Sequence, residues 1–387
     1  TETAENALMH AIASSSLDSP MRWVVVAPRE RLTPFCTSCQ EAGISATIFR
    51  RFNQYPCRRR LELFTQVAER ALTVDERHQM MPLLSWWHTA KEGELIEDNG
   101  GFSIRRHFQL WNKISSHSAA CSHEDCASGE CSVHLARLQA EKAQLILVDH
   151  DFFFHDLQND FALLPHWDHL IITEADEVPK RSIEETEKFI RFYHLRNIIQ
   201  RFENPWNNSV GLLLAAQERQ PKAKEFRELQ PALQLAEKEL QRLFMRIGNH
   251  AAKLKTRGPF AYRESLVGMV RLEPLTLAIE SLIQLSKECE KKSRELSSTD
   301  LWFKRLAPEF LIFQQELKLF YNDLATLLEA RDLHRIYWIE EWHNPHHLQI
   351  HGALRSAGNL IGKPLSKLAA SLTWIGAPLA ARVRLNR

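Results

Sequence analysis

Net charge is the first thing this sequence lacks. Its 49 lysines and arginines are balanced by 48 aspartates and glutamates, which leaves +1. That balance excludes the global basic footprint of a nonspecific nucleic-acid binder, so any such face has to be local. A long apolar run is missing too: no stretch reaches the roughly 18 residues of a membrane span. The nearest, Leu368 to Val383, is broken by Pro378 and carries Arg382, so no membrane partner is expected. No signal-peptide pattern opens the chain, and neither internal repeats nor long low-complexity segments interrupt it. A complete phosphate loop is absent. The nearest match to a Walker A motif, Ala357-Gly-Asn-Leu-Ile-Gly362-Lys363-Pro364, lacks the Ser or Thr that would hold Mg²⁺, and no strand precedes it. Cysteine is present seven times, an odd number in a chain of 387 residues. That argues against a secreted disulfide framework and for a reducing, cytoplasmic setting in which clustered cysteine means metal.

What is there reads as an α/β chain of two or three domains. The segment Glu2 to Ser15 has helical periodicity. Trp23-Val24-Val25-Val26-Ala27, stopped by Pro28, is a continuous apolar run of the kind found in buried parallel strands. A helix over Glu30 to Ala42, closed by Gly43, and a strand over Ile44 to Phe49 complete a βαβ unit. Strand patterns return at Gln144 to Asp149 and at Leu170 to Thr173, with a last candidate at Leu372 to Gly376. Between the strands the pattern changes twice. Residues 56–143 hold many Arg, His and Trp but few strand-like runs. From Ser182 the chain is read as almost wholly helical, with amphipathic segments Ile183–Phe202, Pro231–Leu254, Glu273–Leu296 and Leu301–Ala330. Arg335 to Glu340 reads as a strand leaving that array.

The cysteines carry the sharpest pattern. Cys36 and Cys39 form a CxxC inside the expected helix and read as core thiols. Cys289 stands alone. Cys57, Cys121, Cys126 and Cys131 make four thiolates, which suit zinc or an iron–sulfur cluster equally on count. Three cysteines with four residues between neighbours, plus one far upstream, fit the larger cluster better than one ion. His117, His123 and His134 nearby keep a mixed Cys/His zinc site open. Arg58, Arg59 and Arg60 follow the first cysteine, and Arg105 and Arg106 sit among Phe102, Phe108 and Trp111. Cations interleaved with rings suit a single strand, the charges tracking phosphates and the rings stacking on bases. The same residues also suit a small core with snorkelling arginines. Finally, His169-Leu-Ile-Ile-Thr173-Glu174-Ala175-Asp176 is an apolar strand ending in acidic residues, the way Walker B sites are built.

These pieces, in this order, resemble the DinG/XPD family of iron–sulfur DNA helicases. Asn53-Gln-Tyr55-Pro56-Cys57, followed by Arg58-Arg59-Arg60-Leu61-Glu62, looks like the family's segment with the first cluster cysteine, and Cys121, Cys126 and Cys131 match the other three. Trp23 to Arg29 falls at motif Ia. Asp149-His150, before an apolar run, stands at the family's "NH", with Asp for Asn. Thr173-Glu174-Ala175-Asp176, followed by Glu177-Val178-Pro179, stands at the DEAH box, and Leu372 to Leu379 faintly echoes the motif that follows the arch. The resemblance implies a RecA-like parallel-sheet motor lobe interrupted by an iron–sulfur insertion and a helical arch. The lobe would occupy 1–55, 144–181 and 334–387, with the cluster insertion at 56–143 and the arch at 182–333.

It also implies a 4Fe–4S cluster on Cys57, Cys121, Cys126 and Cys131. Glu174 would be the catalytic carboxylate. Arg29, Arg58, Arg59, Arg60, Arg105, Arg106 and Trp111 would meet single-stranded or forked DNA. Thr1 stands where the last residue of an upstream GKT would bind nucleotide, with Glu2–Ser15 as the helix behind it. Two departures bear on ATP. Thr173 stands where an Asp should direct Mg²⁺, and a hydroxyl cannot replace that charge. The P-loop and a second motor lobe, in cis or in trans, would have to be supplied for ATP and Mg²⁺ to act. Three readings follow: a DinG-type helicase lobe, an ATPase-deficient iron–sulfur DNA-binding relative, and a zinc-stapled helical interaction protein.

Overall fold

The computed structural model describes residues 21–89, 102–121, 131–158, 163–203, 211–253, 259–341, 344, 346–358 and 371–376. They belong to two compact units. The first is drawn from Thr1–Arg51, Val133–Glu187 and Ala353–Arg387, the second from Phe52–Ser132 and Lys188–Gly352. The helix expected over Glu2–Ser15 lies outside the described residues.

In the order of the chain, Trp23–Val26 (β1) is followed by Arg29–Glu41 (α1), which ends before Gly43 in the left-handed region at φ 79°, and by Ala46–Ile48 (β2). The cysteine-rich stretch contributes Arg58–Gln66 (α2), Phe108–Ile114 (α3) and Ser132–Lys142 (α4). Then come Leu145–Val148 (β3), His150–Gln158 (α5), His169–Thr173 (β4) and Val178–Thr186 (α6), which has Pro179 in its first turn, where no helical N–H is needed. Next are Lys188–Arg191 (β5), Phe192–Ile199 (α7), Gly211–Arg219 (α8), Lys224–Lys253 (α9) and Phe260–Tyr262 (β6). Two long helices follow, Glu273–Leu296 (α10) and Leu301–Glu329 (α11). Then come Arg335–Glu340 (β7), Gln349–Leu354 (β8) and Ser371–Ile375 (β9).

The first unit is an α/β fold built on a five-stranded sheet in the order β2-β3-β1-β4-β9, with every pairing parallel. The apolar runs of β1 and β3 are the reason they lie inside: Val24, Val25 and Val26 and all four residues of β3 are buried. β1 and β2 flank α1 as expected but are not neighbours, because β3 pairs between them. Cys36 and Cys39 are buried on the inner face of α1 against Val25, Leu145 and Ile171, as core thiols should be.

The second unit joins the helices to a four-stranded sheet in the order β5-β8-β7-β6, with β5–β8 and β6–β7 antiparallel. The helix expected across Ile183–Phe202 is broken by β5. There Ile190 alternates inward while Phe189 and Arg191 face outward, a period of two inside a helix-like composition. α10 and α11 match the bounds their periodicity predicts to within one residue. Asp300 caps α11 by accepting the Trp302 N–H at 2.8 Å, and Ala330 closes it at φ 50°. Their apolar faces enclose stacked phenylalanines, among them Phe202 on Phe310 at 4.8 Å and Phe226 on Phe303 at 5.9 Å.

Candidate sites in the two units

In a parallel sheet all carboxyl ends lie along one edge, and ligands of such folds bind there. In the first unit that edge gathers Asp149 and His150 after β3 and Glu174 after β4. Asp149 caps α5 by accepting the Phe152 N–H at 2.6 Å, a task Asn and Asp perform equally well. His150 is buried, and its Nε2 bonds the Thr173 carbonyl at 2.9 Å; burial holds its pKa below the ordinary value. The Thr173 hydroxyl donates to the Val26 carbonyl at 2.9 Å, which ties β4 to β1 and commits its proton to the backbone. Glu174 stands in the left-handed region at φ 51°, a costly conformation for a residue with a Cβ. Its carboxylate lies 3.8 Å from Arg181. The turn after it packs on β9. Ala175 N–H bonds the Ile375 carbonyl at 3.1 Å, and a Cβ at Gly376 would stand 2.6 Å from that same nitrogen. Arg51 bridges Glu185 and the Asp151 carbonyl on the same unit. Arg29 opens α1 and is exposed. Thr1 lies outside the described residues, as do residues 359–364 of the Walker-like stretch.

The second unit holds the cysteines. Cys57 is the N-cap of α2, Cys121 follows a 3₁₀ turn over Ser118–Ala120, and Cys131 directly precedes α4. Burial pushes the Cys121 thiol up to about 11, and Cys57 and Cys131 push the same way, so the three thiols share one electrostatic neighbourhood. Arg59 opposes them, and its guanidinium holds the Ala120 carbonyl at 3.1 Å. Helix N-termini and an arginine are what favour thiolates. Three sulfur donors in one neighbourhood are the type a thiophilic metal takes, although at Cys121 burial outweighs Arg59 and disfavours the thiolate. Among the described residues no three His, Cys, Asp or Glu side chains are placed around a single ion; Cys126 and His123 lie outside the described residues. His117 is engaged elsewhere. Its Nδ1 accepts the Ala119 N–H at 3.2 Å, and burial lowers its pKa to about 4.

The cations expected on nucleic acid separate into two groups. Arg58, Arg105 and Arg106 are exposed and Arg59 is partly so. Arg60 is not on the surface: it is 1% exposed and grips Glu309 of α11 at 2.8 and 3.1 Å, the Asn112 carbonyl at 2.9 Å and the Ser115 carbonyl. Trp111 is buried as well, its Nε1–H on the Asn53 carbonyl at 2.6 Å. Of the two readings of this stretch, the small core therefore describes Arg60 and Trp111.

The Arg60–Glu309 pair continues as a ladder. Arg201 lies 3.4 Å from Glu309 and donates twice to Glu316 at 3.1 Å, and His117 stands 3.9 Å from Glu316. The segment with Cys57 is thus keyed to α11 by buried charge, and Arg60 ties the segment leading to Cys121 to it through the Asn112 and Ser115 carbonyls. Beside Ala119 and Ala120 opens a groove of about 650 Å³ lined by Arg59, Arg294, Lys304 and Arg305, with no acidic residue among its lining. Arg305 is braced by Glu62 at 2.7 Å and Arg294 by Glu290 at 2.9 Å. Lys304 is exposed and makes no ion pair among the described residues. The three helix cations were invisible as a site in the sequence, where each looks like the solvated face of an amphipathic helix.

No protein-family model matches this chain, and no curated protein matches it. Among solved structures, one described as a truncated XPD aligns with a TM-score of 0.42 at 10% identity, over 96% of this chain and 85% of its own. Another, described as an XPD helicase, aligns with a TM-score of 0.33 at 10% identity, over 97% of this chain and 57% of its own. No helix among the described residues is long and apolar enough to cross a membrane.

Proposed function

We propose that this chain is a DinG-like helicase lobe that holds single-stranded DNA at a duplex junction, with its grip in the acid-free cationic groove beside the cysteines. The groove is the observation that supports this reading: four cations face one cavity with no carboxylate among them, and two of them are held in place by acids outside the lining. Phosphates of a flexible strand take such charges at the gain of released counterions. Cys57, Cys121, Cys126 and Cys131 would hold a 4Fe–4S cluster, which supplies a structural staple beside the groove. Glu174 would polarise an attacking water once a P-loop and a second lobe complete the nucleotide site. A second reading, an ATPase-deficient DNA-binding relative, is favoured by Thr173, which offers no carboxylate and spends its hydroxyl proton on Val26.

Two measurements test the proposal. Fluorescence anisotropy of a labelled oligo-dT with Lys304→Glu/Arg294→Glu is expected to show at least tenfold weaker binding and a salt slope smaller by about one to one and a half. Unchanged affinity and slope would remove the groove from the interface. Anaerobically purified protein is expected to be brown, absorbing near ~400 nm with about four irons per chain, and Cys57→Ser to bleach it. A colourless protein carrying one zinc would refute the cluster.

A further inference from the structure

The second unit's antiparallel sheet carries a feature that the groove does not use. On the face opposite Tyr337 and Ile339 three rings stand side by side across three strands, with Phe189 exposed, Trp338 half-buried and His351 buried between them. Trp338 of β7 stacks on His351 of β8 at 4.9 Å and 8°, and His351 stacks on Phe189 of β5 at 5.9 Å and 19°. Register makes the row: Phe189 is opposite His351, and Ala261 of β6 is opposite Trp338. Each end of the row is different. At the β5 end the Arg191 guanidinium covers Phe189 at 5.2 Å, and its Nε–H is fixed on Gln349 at 2.8 Å. At the β6 end the next place in the row is held by Ala261, an exposed methyl where the three preceding strands each supply a ring. Trp338 is locked in orientation by Glu340, which accepts its Nε1–H at 2.6 Å.

We propose that this vacancy in the row is a base-stacking slot: an unpaired nucleobase of a single strand seats over Ala261 against the ring of Trp338. Strand spacing of roughly 4.8 Å leaves room for one planar ring at that position. Exposed Arg263 lies two residues further along the same chain, roughly 7 Å on, which is about one nucleotide's reach. It makes no ion pair among the described residues. A flat ring beside a cation selects a base with its phosphate over an aliphatic side chain. The slot rests on the nucleic-acid reading above but uses different residues and a different force.

Ala261→Phe fills the row from within, and because Ala261 is exposed the substitution leaves the core untouched; Ala261→Ser is the control. With labelled oligo-dT, Ala261→Phe is expected to bind about five- to twentyfold more weakly, with an unchanged salt slope because stacking releases no counterions. A strand carrying 5-iododeoxyuridine is expected to photocrosslink at Trp338. Binding equal to wild type by Ala261→Phe, or crosslinks only elsewhere, would overturn the slot while leaving the groove standing. Loss of slope in the Lys304→Glu/Arg294→Glu variant with no effect of Ala261→Phe separates the two in the same assay. A wild-type chain that binds no strand at all would overturn both.

Discussion

Arg60→Ala is expected to lower the stability of the cysteine-bearing unit by about 3–5 kcal/mol, the usual result of removing one member of a buried pair. Arg60 is 1% exposed and Glu309 fully buried, so the substitution would leave a carboxylate away from water with only Arg201, at 3.4 Å, to answer it. The carbonyls of Asn112 and Ser115 would lose their donors as well. Arg60→Lys should recover little, because one ammonium cannot reproduce the guanidinium's parallel bonds to both oxygens of Glu309. Arg58→Ala is the matched control. Its pair with Glu62 is exposed, and such pairs contribute about 0–1 kcal/mol. Urea unfolding of the three variants decides the matter: an Arg60→Ala midpoint close to that of Arg58→Ala would mean the ladder carries no net stability.

Gly211→Ala is the second large effect, with a cost expected above about 3 kcal/mol from left-handed strain plus overlap. Gly211 has φ 66°, and a Cβ there would fall 2.2 Å from the Phe202 carbonyl oxygen, which is backbone and cannot rotate aside. The closeness has a purpose. Leu212 and Leu213 N–H bond the carbonyls of Arg201 and Phe202, so the start of α8 clamps the turn that aims Arg201 at Glu309 and Glu316. Gly43→Ala isolates the strain alone. Its φ is 79°, but nothing lies within 4 Å of the added methyl, so about 1–2 kcal/mol is expected. Equal thermal shifts for the two variants would show that the contact with Phe202 relaxes freely.

What could be read from the sequence follows physical lines. β1, β3 and β4 announce themselves because a strand buried on both faces carries an unbroken apolar run through its middle. α10 and α11 are read to within a residue because their charge and apolar faces repeat over many turns. β5 is not, since four residues hold too few repeats to distinguish two from 3.6. Arg58, Arg59 and Arg60 are identical in composition, and only a glutamate far along the chain decides which of them is internal. The same holds for the groove, whose cations come from three separate segments. Trp111 is buried while its neighbours Arg105, Arg106 and Phe108 are exposed, and the sequence suits both a strand contact and a small core there. Nothing local marks it as the one turned inward.

The separation of Arg60 from Glu309 also sets an order of events during synthesis. The two are 249 residues apart, so at about 5–20 residues per second Glu309 is made roughly 12–50 s after Arg60. Through that interval the segment with Cys57 and Cys121 has its guanidinium but neither Glu309 nor Glu316 to anchor it. Closing so long a loop comes late in any folding sequence. The buried anchor of the segment with Cys57 therefore forms only after residue 309 has been made, with Cys57, Cys121 and Cys131 all synthesised long before it.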